Sequence, residues 1–303
     1  MSLVINNNMM AANTARTLNS HYSNLAQSTQ RLSTGLRVNS AADDAAGLAI
    51  RELQRADIAA LHQGARNAND AISMIQTADG AMGVIDEKLI RLKELAEQAA
   101  TGTYDSTQRL MIESEYQAMA SEITRIANAT DFNGIHLLDG TLSSDTHDGS
   151  GKTAKDGISS TGKMKIHFGS GNDSAEDYYY ITIGSVTASS LGVGNQASID
   201  SDGYTVSTQE AAQKALEAIN QAIVSKDKIR AHLGAMQNRL ENTITNLNVQ
   251  AENLQAAESR ISDVDVATEM TQFVRNQILT QSAVAMLGQA NSLPQMAMQL
   301  IGG

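Results

Sequence analysis

The sequence predicts a mainly α protein: a long antiparallel helical bundle or coiled-coil rod, a small β-hairpin element, and terminal helices that pair as a coiled coil. Three observations carry that expectation. Apolar residues recur at spacings of four and three on both flanks of the 303-residue chain, the period of a helical seam. Glycine gathers in the middle, where 12 of 22 lie between Gly134 and Gly203. Two short runs in that middle alternate apolar with polar residues, as strands do.

At the N-terminal end, Leu18, Leu25 and Leu32 stand at heptad spacing, with Tyr22 and Thr29 between them. The stripe is thin. Because helices gain most of their stability from packing, this segment is expected to become ordered only against partners. Ser40-Ala-Ala-Asp43 fits the capping-box pattern that marks a helix start. The longest series follows: Ala71, Ile75, Ala78, Met82, Ile85, Leu89, Leu92, Ala96 and Ala99. Such a series specifies an a/d seam against another helix, roughly 43 Å long at 1.5 Å per residue.

Gly102 separates this helix from a third, carried by Ile112, Tyr116, Met119, Ile123 and Ile126 and ending at Asn133-Gly134. A short connection favours antiparallel neighbours, so residues 45–130 form a helical hairpin. Residues 141–163 are small, polar and turn-forming, and read as an exposed loop. Beyond them, Met164, Ile166 and Phe168 alternate with Lys163, Lys165 and His167; Tyr179, Ile181 and Ile183 alternate with Tyr178, Tyr180 and Thr182. These make an antiparallel pair joined through GSGNDSAED. Leu233, Leu240, Leu247, Leu254 and Ile261 then recur every seventh residue, matching the first long helix in length and completing a three-helix rod. Ser262-Asp-Val-Asp265 repeats the capping pattern. Phe273, Ile278, Leu279, Val284 and Leu287 supply the C-terminal partner of the first stripe.

Composition removes whole classes of function. There is no cysteine, so disulfides, thiolate nucleophiles and cysteine metal sites are excluded. A formal charge of -11 opposes nucleic-acid binding, which needs a basic face. No run of 18 or more apolar residues exists to span a membrane. After Met1 there is neither a charged n-region nor an apolar h-region, so secretion through a cleaved signal is not expected. The six histidines are scattered and no HExxH motif occurs; no catalytic site, cofactor or metal is expected. Asp43, Asp44, Asp263 and Asp265 read as helix caps rather than metal ligands. Gly192-Val-Gly194-Asn-Gln-Ala197 fits G-x-G-x-x-A, but opens no amphipathic helix of a βαβ unit; it reads as a turn.

Residues 31–50, RLSTGLRVNSAADDAAGLAI, and residues 67–82, NANDAISMIQTADGAM, resemble bacterial flagellins. So does NLQAAESRISDVDVATEM at 253–270, followed by QILTQSAVAMLGQAN and LPQ. The resemblance covers about 1–140 and 205–303. It implies a structural subunit, not an enzyme, that polymerises into the flagellar filament, the helical propeller of motility. Residues 1–42 with 263–303 would form the inner coiled-coil domain of the filament core. Residues 43–262 would form the surrounding rod, with the variable loop and β hairpin at about 141–204. Leu18, Leu25, Leu32, Phe273, Ile278, Leu279, Val284 and Leu287 would be the subunit interface.

The same resemblance implies secretion to the extracellular filament through the flagellar export apparatus, with a dedicated chaperone on the C-terminal segment and filament cap and junction proteins as further partners. A hook-filament junction protein is the alternative reading. The ending Gln299-Leu300-Ile301-Gly302-Gly303 departs from the family's common one. Arg91, Leu95 and Glu115 stand where flagellins recognised by the vertebrate receptor TLR5 present an Arg, a Leu and a Glu. Around them Ile90 replaces Gln and Lys93 replaces Arg, and Lys lacks the planar fork of Arg.

Overall fold

The computed structural model of the chain describes residues 8–143, 162–173 and 176–301. In chain order its elements are α1 (Met9–Thr34), α2 (Ala45–Ala100), α3 (Ser106–Ala129), β1 (Asp131–Phe132), β2 (Ile135–His136), β3 (Met164–His167), β4 (Tyr178–Ile181), α4 (Ala188–Leu191), α5 (Gln209–Ser262) and α6 (Val266–Ile301). Two compact units result, one of Met1–Ile58 with Glu252–Gly303 and one of Ala59–Ala251. The division falls inside α2 and α5.

In the unit of residues 59–251, every member of the Ala71–Ala99 series is buried. Those side chains share one core with Ile112, Tyr116 and Ile123 of α3 and with Ile219, Leu233 and Leu240 of α5. Full burial contributes about 1.5–3 kcal/mol for each Leu, Ile or Met, so the seam is the main source of stability here. Polar contacts fix the directions. Arg91 of α2 pairs with Glu115 of α3 at 2.7 Å, and Arg109 Nε donates to the carbonyl of Ala99 at 3.1 Å. Lys226 and Arg230 of α5 reach back to Asp86 and Asp79 of α2. Both α3 and α5 therefore run antiparallel to α2.

Asp105 and Gln108 form a reciprocal capping box at the start of α3, visible in the sequence as D-S-T-Q. At its other end the expected stop is corrected: α3 finishes at Ala129, and Asn133-Gly134 is instead the turn of the β1–β2 hairpin. Both residues have positive φ, 52° and 79°, as a two-residue hairpin loop requires. β3 and β4 pair antiparallel as expected, with Met164 opposite Ile181 and Ile166 opposite Tyr179. Ile166, Phe168, Ile181 and Ile183 face inward. Along the other face, Lys165 lies 3.6 Å from the centre of the Tyr178 ring. Most of the expected loop at 141–163 falls outside the described residues.

In the other unit α1 and α6 run antiparallel. Asn8 Nδ2 donates to the carbonyl of Ala290 at 2.7 Å, and Arg31 lies 3.7 Å from Glu269. Both helices are formed and paired within the single chain, where the sequence led us to expect order only against partners. The links that join them to α2 and α5 are tied as well: Arg37 N donates to Ser262 O at 2.6 Å and Val264 N to Gly35 O at 3.0 Å. Neither expected capping box caps with its serine. Asp44 caps α2 through Gly47 N at 2.8 Å, while Asp43 receives the amides of Asn39 and Ser40 in the turn before it. Asp265 caps α6 through Ala267 N and Thr268 N, and Ser262 closes α5.

Candidate assembly interface

The α1–α6 seam is narrow and unusually polar. Between Val266 and Ala290 the least exposed positions of α6 are Glu269, Phe273, Asn276, Thr280, Ala283, Leu287 and Ala290, a strict four-three repeat. On α1, Leu18, Leu25 and Leu32 remain half-buried beside buried Ser28. The seam thus draws on small and polar groups, and its leucines keep part of their surface in water.

The C-terminal residues expected to form one pairing stripe divide into two sets. Phe273 and Leu287 lie along the seam, but Ile278 is 57% exposed, Val284 48% and Leu279 39%. They are not alone. Val266, Met270, Val274, Met286 and Met296 are exposed on the same helix, and Met9, Met10 and Tyr22 on α1. Met270, Val274 and Ile278 follow at four-residue spacing, which places them along one side, while Leu279, Val284 and Met286 occupy others. Apolar side chains are thus spread around α6 among exposed polar ones such as Thr271, Gln272, Arg275 and Gln281, and the helix has no single apolar face. Sequence reading found these residues but could not phase them, because a helix whose polar and apolar residues are mixed on every side has no preferred face.

Arg91 and Glu115 are brought together on the surface. The guanidinium donates to Glu115 and to Glu94, 2.9 Å away, and Glu115 first and Glu94 second hold it protonated beyond its ordinary range. Leu95 is not part of that surface: its side chain is 1% exposed and belongs to the core. Of the three residues, only Arg91 and Glu115 are exposed.

The remaining motifs have structural explanations. Gly192 ends α4 with φ 73°, Gly194 follows with φ 68° and donates to Gly203 O at 2.7 Å, and α5 begins only at Gln209. The G-x-G-x-x-A segment is a pair of tight turns. Asp265 accepts from Thr268 Oγ1 first, then from the Thr268 and Ala267 amides, which together hold its carboxyl below the usual range. Asp263 accepts from Ser259 and Ser262. Among the described residues no helix is long and apolar enough to cross a membrane.

Sequence reading missed one ion cluster built around a buried lysine. The Lys226 side chain is 1% exposed, bonded to Asp86 and 2.9 Å from Asp227. One helical turn on, Arg230 Nε donates to Asp79 at 2.7 Å and holds that carboxyl below the usual range. The only available signal was KDKIR on an apolar stripe opposite two aspartates seven residues apart.

Comparison with known proteins agrees with this architecture. Residues 5–143 match the bacterial flagellin N-terminal helical region, and residues 216–301 the bacterial flagellin C-terminal helical region. The chain is 40% identical over 299 residues to the flagellar filament 33 kDa core protein of Treponema phagedenis, covering 99% of this chain and 100% of that one. It is 41% identical over 313 residues to the flagellin of Bacillus subtilis, covering 98% and 99%. A putative flagellar hook-associated protein from Vibrio parahaemolyticus shares the fold with a TM-score of 0.53 at 12% identity, over 73% of this chain and 100% of that one.

Proposed function

The chain belongs to the bacterial flagellin family and is a structural subunit of the flagellar filament; from that premise we propose that α1 and α6 carry its polymerisation. Residues 1–42 with 263–303 form the inner domain of the filament core, and 43–262 the rod around it. The observation that carries this reading is the apolar surface that α6 leaves exposed outside its seam with α1, at Val266, Met270, Val274, Ile278, Val284 and Met286. A lone chain gains nothing from that surface in water, whereas neighbouring copies can bury it at about 25 cal/mol per Å². A heterologous contact that does not close into a ring propagates as a helical filament. Leu18, Leu25 and Leu32 add the surface that their half-burial leaves over.

Relatives matched over their full length are named flagellins and filament core proteins, while the hook-associated likeness extends to fold alone. The filament reading is therefore favoured over a hook-filament junction protein. In this role the chain is secreted unfolded through the flagellar export apparatus. A chaperone shields the apolar C-terminal helix beforehand, and a cap receives the chain at the tip. Recognition by the vertebrate receptor would rest on Arg91 and Glu115, without Leu95.

Seeded polymerisation in a kosmotropic salt, which strengthens apolar burial, tests the assembly reading by negative-stain electron microscopy. We expect long filaments from the full chain and none from a chain lacking residues 1–42. Ile278→Asp changes an exposed side chain, so it should leave helix content unaltered and still abolish filaments. Normal filaments from Ile278→Asp and from the truncated chain would refute the role of both helices.

A further inference from the structure

We propose that the exposed methionines of the terminal helices form an oxidation-sensitive site that switches off polymerisation of the free subunit. The inference rests on the assembly reading above. All sulfur in the chain is thioether, 13 methionines and no cysteine, so no thiol competes for an oxidant. The distribution of those thioethers is uneven. Met74 and Met82 are buried at 1% and 0%, and Met236 is 8% exposed. By contrast, Met9, Met10, Met270, Met286 and Met296 are 45–67% exposed, all on α1 or α6. In the unit of residues 59–251, Met111 alone among the described methionines is comparably open, at 68%.

This placement couples reactivity to assembly. Methionine suits an adaptable apolar contact because its unbranched chain and polarisable sulfur fill irregular gaps. A peroxide transfers one oxygen atom to the sulfur lone pair and is itself reduced, hydrogen peroxide leaving as water. The product sulfoxide is polar and chiral. Burying such a dipole between subunits without a hydrogen-bond partner is unfavourable, so oxidised subunits do not add to a filament. Once assembled, the same sulfurs are covered by neighbouring copies and react slowly. Enzymatic reduction of both sulfoxide epimers restores the thioether, which makes the switch reversible.

The test uses the full chain. Hydrogen peroxide is applied to monomer or to preformed filaments, sulfoxides are located by peptide mass spectrometry, and seeded polymerisation is read by sedimentation. Oxidised monomer should carry sulfoxide at Met270, Met286 and Met296, keep its helical circular dichroism, and lose sedimentable polymer by about tenfold or more. Sulfoxide reductases of both stereospecificities should restore assembly, and filaments should resist modification at the same peptides. A Met111→Leu chain separates the remaining open sulfur: it should assemble like the parent and be blocked equally by peroxide.

Polymerisation of oxidised and untreated chains alike overturns this inference and leaves the assembly reading standing. So does loss of helix on oxidation, protection by Met111→Leu, or failure of the reductases to restore assembly. If the untreated chain does not polymerise, the assembly reading fails and takes this inference with it.

Discussion

At the scale of single residues, Lys226 is the position where charge and burial conflict most. Its ammonium is out of water, while its partner Asp86 keeps about a third of its side-chain surface exposed. Removing one or the other should therefore have unequal effects. Lys226→Met leaves a carboxylate that water can solvate and should cost about 1 kcal/mol. Asp86→Ala with Asp227→Ala leaves a buried ammonium without its two bonded carboxylates and should cost about 3 kcal/mol or more. Thermal unfolding followed by circular dichroism checks the order, and equal losses would show that Lys226 is better solvated than its burial implies.

Asp79 makes a pH prediction of definite sign. Arg230 lowers its folded pKa below the ordinary value, so the stabilisation is present above the unfolded pKa of about 3.9 and disappears as pH falls through the folded one. The window lies in acid, below about pH 4. Because the pair is nearly half exposed, screening holds its contribution to about 1 kcal/mol or less. Urea midpoints at neutral and acidic pH should fall more steeply for the parent than for Asp79→Asn. Parallel slopes would remove Asp79 from the account of acid sensitivity.

At the scale of elements, the carboxylate at the start of α6 is a larger determinant than the serine three residues before it. Asp265→Ala deprives the Ala267 and Thr268 amides of their acceptor and should cost about 1 kcal/mol. Helicity of residues 266–301, read by backbone amide exchange, should drop at the first turn, whereas Ser262→Ala should leave that turn unchanged. Loss of protection in both variants would restore the serine as the cap.

The long helices were legible in the sequence because each has a continuous four-three repeat. All nine residues of the Ala71–Ala99 series are buried. The β1–β2 hairpin was not recognised, although Asn133-Gly134 is its usual turn sequence. The same dipeptide ends helices, and two-residue strands offer no alternation with which to choose. Leu95 was misplaced for a related reason. Spacing says that Arg91 and Leu95 share a side of α2, but not that the shorter apolar group turns inward beneath the longer charged one.

At the scale of the whole molecule, the two units treat their apolar side chains differently, and the proposed polymerisation draws on the surface that folding leaves over. The unit of residues 59–251 buries its large apolar side chains against its own helices. The unit that joins the two ends pairs its helices through a seam containing Ser28, Glu269 and Thr280, and leaves Met270, Val274, Ile278 and Met286 in water. Such a division suits a subunit of the flagellar filament, which must fold enough to be positioned and still keep apolar surface for its neighbours. It also explains why the proposed effect of methionine oxidation is confined to assembly: the reactive sulfurs are those that the chain's own core does not cover.

Periodicity, composition and the resemblance of the two flanks determined the helical class, the antiparallel pairing of the long helices, the antiparallel β3–β4 pair and membership of the flagellin family. These follow from local rules, since a helix or strand imposes its period on whatever it buries. Only the tertiary structure decided which apolar residues are covered and by what: Leu95 inward, Phe273 and Leu287 along the seam, Ile278, Leu279 and Val284 outside it, and Lys226 under its carboxylates. Burial depends on the neighbour that arrives from elsewhere in the chain. A helix such as α6, whose apolar and polar residues are mixed on every side, carries no sequence signal for the direction from which that neighbour comes.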